Sequence, residues 1–163
     1  MPLRTRAGSN HDTTSDYAER VKLLLNIIWL VLAGFWLAVG YALAGLVMFI
    51  LIVTIPFGVQ AFKLANFALW PFGRTMIKRS DVGGASTIGN VLWLVFAGWW
   101  LAIAHLVTAF AQAITIIGLP LAYANVKMIP GGLWPFGREL VRTADLTEAM
   151  RQSSEALTAP DRR

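Results

Sequence analysis

Trp70-Pro71-Phe72-Gly73-Arg74 and Trp134-Pro135-Phe136-Gly137-Arg138 are the same five residues, set 64 positions apart (134 less 70). Sliding the chain against itself by that offset aligns residues 26–74 with 90–138 without a gap, and 19 of the 49 pairs are identical. A fixed period of this length marks a duplicated structural unit. Each WPFGR therefore closes one copy, and whatever fold the first copy takes the second should share.

Outward from the two strings the chain is apolar: 56% of its residues are hydrophobic and 14% are charged. The charges are also segregated. No Asp, Glu, Lys or Arg occurs between Leu23 and Phe62 or between Val82 and Val126. Each gap exceeds the roughly 20 apolar residues that cross a bilayer, and so small a chain has too little polar surface to cover two such blocks as a soluble core. This is an integral membrane protein. The polar residues 1–22 precede an apolar block longer than a signal-peptide core, with no cleavage site evident, and so predict an uncleaved first anchor. The chain has no cysteine, which removes disulfides and thiolate chemistry together.

The organisation predicted is an all-α integral membrane protein of two parallel tandem repeats. Residues 1–22 form a polar tail, 23–74 the first membrane repeat, 75–87 a linker with a Gly83-Gly84 break, 88–138 the second repeat and 139–163 a second polar tail. The first tail should be disordered up to Asp16, which with Glu19 resembles a capping box. The last should be a short helix followed by disorder. In each repeat the apolar block is too long for one span, at about 55 Å for Leu23 to Val59 as a helix, so it should reverse near Gly40–Gly45 as a short transmembrane or re-entrant hairpin. Pro56 and Pro120 should break the second limb. An interfacial helix with Gln60, Lys63 and Asn66 on its polar stripe should follow, ending in the WPFGR anchor. The second copy has Met128-Ile129-Pro130-Gly131-Gly132 where the first has LANFA, which predicts a shorter or broken helix there.

Lys and Arg fix the orientation. All three non-membrane stretches are basic: Arg4, Arg6, Arg20 and Lys22 before the first repeat; Lys63, Arg74, Lys78 and Arg79 between the repeats; Lys127, Arg138, Arg142 and Arg151 after the second. The positive-inside bias then places both termini and the central linker in the cytoplasm, with an even number of crossings, or none, per repeat. The paired N-x-x-W-L-V-x-A-G-x-W-L-A and WPFGR blocks, spanning about Asn26 to Arg138, resemble the YccF-type domain of bacterial inner-membrane proteins. That resemblance implies an inner-membrane location and duplication, and it carries over no catalytic residue.

Four sets of residues are candidates for a role. Gly34 with Ala38 and Gly98 with Ala102 are small residues four apart, suited to close helix packing or an oligomer interface. Asn26, Asn90, Thr54, Thr108, Gln112 and Thr115 are polar groups at membrane depth, which either pair with helix partners or line a path. Lys63, Trp70, Arg74, Lys127, Trp134 and Arg138 should anchor the cytoplasmic interface and attract anionic lipid. His105, aligned with Tyr41 at the predicted outer turn, should present a polar tip to the headgroups.

Motifs for phosphate-binding loops, zinc proteases, paired cysteines and serine elbows are missing, and no carboxylate stands near His105. No enzyme, metal site or cofactor is expected, nor is nucleic acid a partner. The leading expectation is a small multi-pass membrane protein that self-associates as a homo-oligomer or acts as an accessory scaffold with a membrane-protein partner. The alternatives are a homo-oligomeric channel or transport component, and an organiser of anionic membrane lipids.

Overall fold

The computed structural model describes residues 8–50, 52–80 and 83–158. Arg4 and Arg6 of the first tail and the predicted disordered end at 159–163 lie outside them. The order is α1 (Gly8–Trp29), a π-helical turn (Leu30–Gly34), α2 (Phe35–Phe49), a 3-10 turn (Ile52–Thr54), α3 (Ile55–Leu69) and β1 (Arg74–Lys78). The second copy repeats it as α4 (Gly84–Trp93), a π turn (Leu94–Gly98), α5 (Trp99–Ala113), α6 (Gly118–Leu133) and β2 (Arg138–Arg142), followed by α7 (Thr143–Thr158). The chain is thus a helical membrane protein of two tandem copies. Thr14–Phe49, Ile52–Leu69 and Gly84–Ala113 are helical stretches long and apolar enough to cross a membrane.

The hairpin in each copy is placed differently from the expectation. Gly40–Gly45 does not reverse the chain. It lies inside α2, with Tyr41 and Gly45 buried, because in an apolar solvent an unbroken helix is the cheapest way to satisfy every backbone donor and acceptor. The reversal comes between α2 and α3, at the 3-10 turn Ile52–Thr54, and again at 114–117, between α5 and α6. Pro56 and Pro120 then open α3 and α6 instead of ending a limb. Within the first turn of a helix the missing proline N–H would have had no partner anyway. The stretch predicted as an interfacial helix is the return limb itself, packed along α2 or α5.

Three further differences follow. Helix α6 runs unbroken through Pro130 to Leu133, since one lost donor near a helix end is a smaller cost than exposing several unpaired groups. The linker, expected to carry no regular structure of its own beyond its Gly83-Gly84 break, holds most of strand β1, and the second tail begins within strand β2. The two strands pair antiparallel, with Met76 opposite Leu140 at the centre. Helix α1 begins at Gly8, ahead of the Asp16 start signal.

The repeat offset carries Met76 onto Leu140 and Tyr41 onto His105, and in both cases the two equivalents face each other. A residue that meets its own counterpart lies on the axis relating the copies. One such point is on the ribbon and the other is deep in the helical bundle, so the pseudo-twofold axis runs lengthwise along the hairpins and the copies are parallel. Trp29, Leu64, Phe67, Ala68, Trp93 and Met128 form the centre of the core between them.

Candidate functional site

The WPFGR loops are built from the end of each return helix. The Trp70 amide donates to Phe67 O at 3.2 Å as α3 ends, Pro71 and Pro135 are fully buried, and Gly73 and Gly137 turn the chain at φ +82° and +70°. That left-handed backbone is open to glycine at little cost and disfavours a side chain. Asparagine holds each loop. Asn26 Nδ2 donates to Phe72 O at 3.0 Å while Phe72 N donates to Asn26 Oδ1 at 3.0 Å. Asn90 binds Phe136 in the same way at 3.0 and 2.9 Å.

One turn further on, Trp29 Nε1 donates to Ala68 O at 2.6 Å and Trp93 Nε1 to Gly132 O at 2.7 Å. Gly34 makes room for the first indole: a Cβ there would stand 2.5 Å from the Trp29 ring and 2.8 Å from Ala68 O. Gly98 does so for Trp93, with 3.1 Å to the ring and 3.2 Å to Leu133 O. Ala38 is buried and Ala102 half-buried. Both glycines of the small-residue pairs therefore serve packing inside their own hairpins.

The copies fasten one another at these loops. Lys63 Nζ donates to Pro135 O at 2.6 Å and to Arg138 O at 2.9 Å, and Lys127 Nζ donates to Pro71 O at 3.0 Å. Lys127 also stands 5.9 Å over the Phe67 ring. Arg79 N donates to Gly137 O and Thr143 N to Gly73 O, each at 2.9 Å. Each of these hydrogen bonds joins one repeat, or the segment just beyond it, to the loop of the other. A tight turn leaves carbonyls without partners, and a half-buried ammonium needs several acceptors, so each supplies what the other lacks. Sequence reasoning placed Lys63 and Lys127 at the lipid surface and missed this reciprocal clasp. Its signal was the appearance of lysine at the same offset in both copies. Of the other expected anchors, Arg74 donates to Asn66 Oδ1 at 3.1 Å, Trp70 and Arg138 are half-buried, and Trp134 is partly exposed.

The polar positions within the apolar blocks are not brought together. Asn26 and Asn90 serve the loops. Thr54 bonds Met48 O and Thr115 bonds Gln112 O, both at the far ends of the hairpins, and Thr108 turns back onto Ala104 O of its own helix. Gln112 belongs to a buried chain that the sequence did not reveal. Tyr41 Oη and His105 Nε2 are 2.8 Å apart, His105 Nδ1 and Asn125 Oδ1 are 2.7 Å apart, and Asn125 Nδ2 donates to Gln112 Oε1 at 2.7 Å. An amide oxygen only accepts, so Nδ1 carries the imidazole proton and Nε2 accepts from the Tyr41 hydroxyl. His105 therefore sits in mid-helix on the axis, not at an outer turn. Its partner Asn125 aligns with Ala61, so the repeat comparison gave no hint of it.

Comparison with known proteins completes the picture. The family model for an inner membrane component domain, YccF, matches residues 24–74 and again 88–138. The chain is similar to the inner membrane protein YccF of Escherichia coli strain K12, 35% identical over 143 residues, covering 82% of this chain and 96% of that relative. The Shigella flexneri protein of the same name matches with the same identity and coverage. No solved structure matches.

Proposed function

Given that the chain belongs to the YccF family of inner membrane component domains, we propose that it organises lipid as a one-sided wedge, entering the membrane from the face that carries WPFGR. The observation that supports this is the chemistry of the hairpin tips. Ile50, Ile52 and Val53 in the first copy and Ile114, Ile116 and Ile117 in the second are at least 75% exposed, and no charge stands near them in sequence. Their turns also supply hydrogen bonds from within the chain. Ile50 N donates to Val47 O, Thr115 N to Gln112 O and Leu119 N to Ile116 O, while the Thr54 hydroxyl bonds Met48 O and the Thr115 hydroxyl receives Gly118 N. A turn held in hydrocarbon needs such bonds, since no water is there to supply them.

The lengths agree. The return limbs Ile52–Leu69 and Gly118–Leu133 have 18 and 16 residues, or about 27 and 24 Å at the helical rise, against a hydrocarbon core of about 30 Å. In this reading Trp70 and Trp134 stand at the near headgroup boundary and the uncharged tips stay in the acyl region of the opposite leaflet, which thins to meet them. The basic near face is then cytoplasmic. Single cysteines at Ile52 and Ile116 should resist a membrane-impermeant maleimide from both faces until detergent is added, whereas Ser80 and Ser154 should label from the cytoplasmic face. Labelling of the tips from the periplasmic face would mean that the hairpins cross and that the wedge is wrong.

Self-association as a scaffold has one feature in its favour. Phe35–Trp36 and Trp99–Trp100 are exposed aromatic pairs at equivalent positions, and aromatic faces suit protein contacts. If they join copies, Trp36→Ala with Trp100→Ala should lower the mass of the detergent-solubilised particle; an unchanged mass counts against it.

A further inference from the structure

Alternate residues of a strand share a face, which puts Arg74, Met76 and Lys78 together with Arg138, Leu140 and Arg142 on one side of the ribbon. Met76 and Leu140 pack against the core. That face is therefore turned toward the hairpins, and its four cations are aimed back at the bilayer. The register sets Arg74 directly opposite Arg142 and Lys78 directly opposite Arg138. Like charges so placed repel. Among the described residues the ion pairs are Arg20–Asp16, Lys22–Glu19 and those of Arg151 with Glu148 and Glu155, so none of the four is held in a close ion pair.

Each cationic pair walls a cavity. One of about 350 Å³ is bounded by Leu23, Trp70, Phe72 and Gly73 with Arg74 and Arg142. The other, about 530 Å³, is bounded by Leu133, Trp134, Phe136 and Gly137 with Lys78 and Arg138. The repeat offset carries Trp70, Phe72, Gly73 and Arg74 onto their counterparts, so these are two copies of one site. Glu19 and Lys22 also line the first; Glu19 bonds Lys22 at 2.6 Å and lies within the field of Arg142, so three cations face one carboxylate there and the cavity keeps a net charge of two, as the second does with Lys78 and Arg138.

We propose that these two cavities are phosphate-group sites, each holding the headgroup phosphate of an anionic phospholipid between its cross-strand cations, with the acyl chains beside Leu23 or Leu133. Guanidinium and ammonium groups supply several donors to one phosphate, and the anion relieves the repulsion across the ribbon. The tryptophan rim and the adjoining apolar helices favour a lipid over a free ion. This assignment deepens the wedge by naming the lipid at its near face, and it rests on the wedge only for the leaflet that supplies it.

The test is native mass spectrometry of the full chain in non-ionic detergent with added dioleoyl phosphatidylglycerol. Two tightly bound lipids per chain are expected, with phosphatidylcholine binding more weakly. Arg74→Gln with Arg142→Gln should remove one, Lys78→Gln with Arg138→Gln the other, each site weakening about thirtyfold for two lost cations. Arg74→Lys with Arg142→Lys, which keeps the charge, should keep the lipid and so separates binding from folding. Equal binding of the two lipids, or two lipids retained by the fourfold glutamine variant, would overturn the sites. Displacement by equimolar inorganic phosphate would overturn lipid as the occupant. Tip labelling reports separately: periplasmic labelling alongside two bound lipids would discard the wedge and leave the sites standing.

Discussion

The two repeats agree most closely at the loop end, where they also hold each other, and least toward the hairpin tips. At the loop end, Asn26 and Asn90, Trp29 and Trp93, and Lys63 and Lys127 perform matching tasks in matching places. Each loop is part of its neighbour's environment, so a change on one side disturbs the other. Deeper in, each hairpin solves its own packing. The first brings Gly45 and Gly58 together and fills the space beside them with Phe49 stacked on Phe62 at 5.5 Å; the second has Ala109 and Ala122 there, with Ala113 and Val126 in place of the rings. On the axis itself the copies differ as Tyr41 and His105, and the polar chain continues only into the second, because Ala61 and Met48 stand where Asn125 and Gln112 would be needed.

Substitutions can break or sharpen that contrast. The largest effect should come from Trp93→Ala, which empties a buried site and loses a bond, at a cost of about 3–5 kcal/mol in unfolding followed in detergent. Trp93 also meets Phe57 of the other repeat, whereas the aromatic partner of Trp29 is Phe72 of its own. Trp29→Ala should therefore cost less, and equal losses would erase the distinction. Lys63→Met should follow, at about 1.5–3 kcal/mol for charged bonds to buried carbonyls. Lys127→Met, with one such bond against two, should lose about half as much.

Moving the second repeat's alanine into the first sharpens the packing contrast. A Cβ on Gly45 would stand 2.8 Å from the Phe62 ring, so Gly45→Ala should cost about 1–3 kcal/mol by overpacking, and adding Phe62→Val should recover most of it. Failure of that rescue would show that the size exchange is coincidental. A smaller effect, about 1 kcal/mol for two bonds lost within the bundle at roughly 0.6 each, is expected from His105→Phe, read from the same unfolding transition. Tyr41→Phe, which removes one bond and leaves His105 bonded to Asn125, should cost less still.

Much of this was legible in the residues. Duplication, membrane embedding and the closing role of WPFGR follow from the repeat offset and the charge-free blocks. The position of the reversal was not legible, because glycine and proline carry signals learned from water: in an apolar solvent Gly40 and Gly45 stay helical, while Pro56 and Pro120 begin helices. The strands escaped notice because Arg-Thr-Met-Ile-Lys and Arg-Glu-Leu-Val-Arg form a ladder only with each other, 64 residues apart at its centre. The clasp escaped for a related reason, since lysine beside a membrane block reads as a lipid anchor until the opposite loop's carbonyls are placed beside it.

That both WPFGR ends meet at one face under a twofold axis is the claim on which the rest depends. Thr75 and Val141 are directly opposite on the outward side of the ribbon, and the chain has no native cysteine. Thr75→Cys with Val141→Cys, oxidised in native membranes, should form an intrachain disulfide visible as a faster non-reduced band, while Thr75→Cys with Glu139→Cys, out of register, should form far less. Crosslinks only between chains, or equal yields from the two pairs, would contradict the parallel arrangement of the repeats.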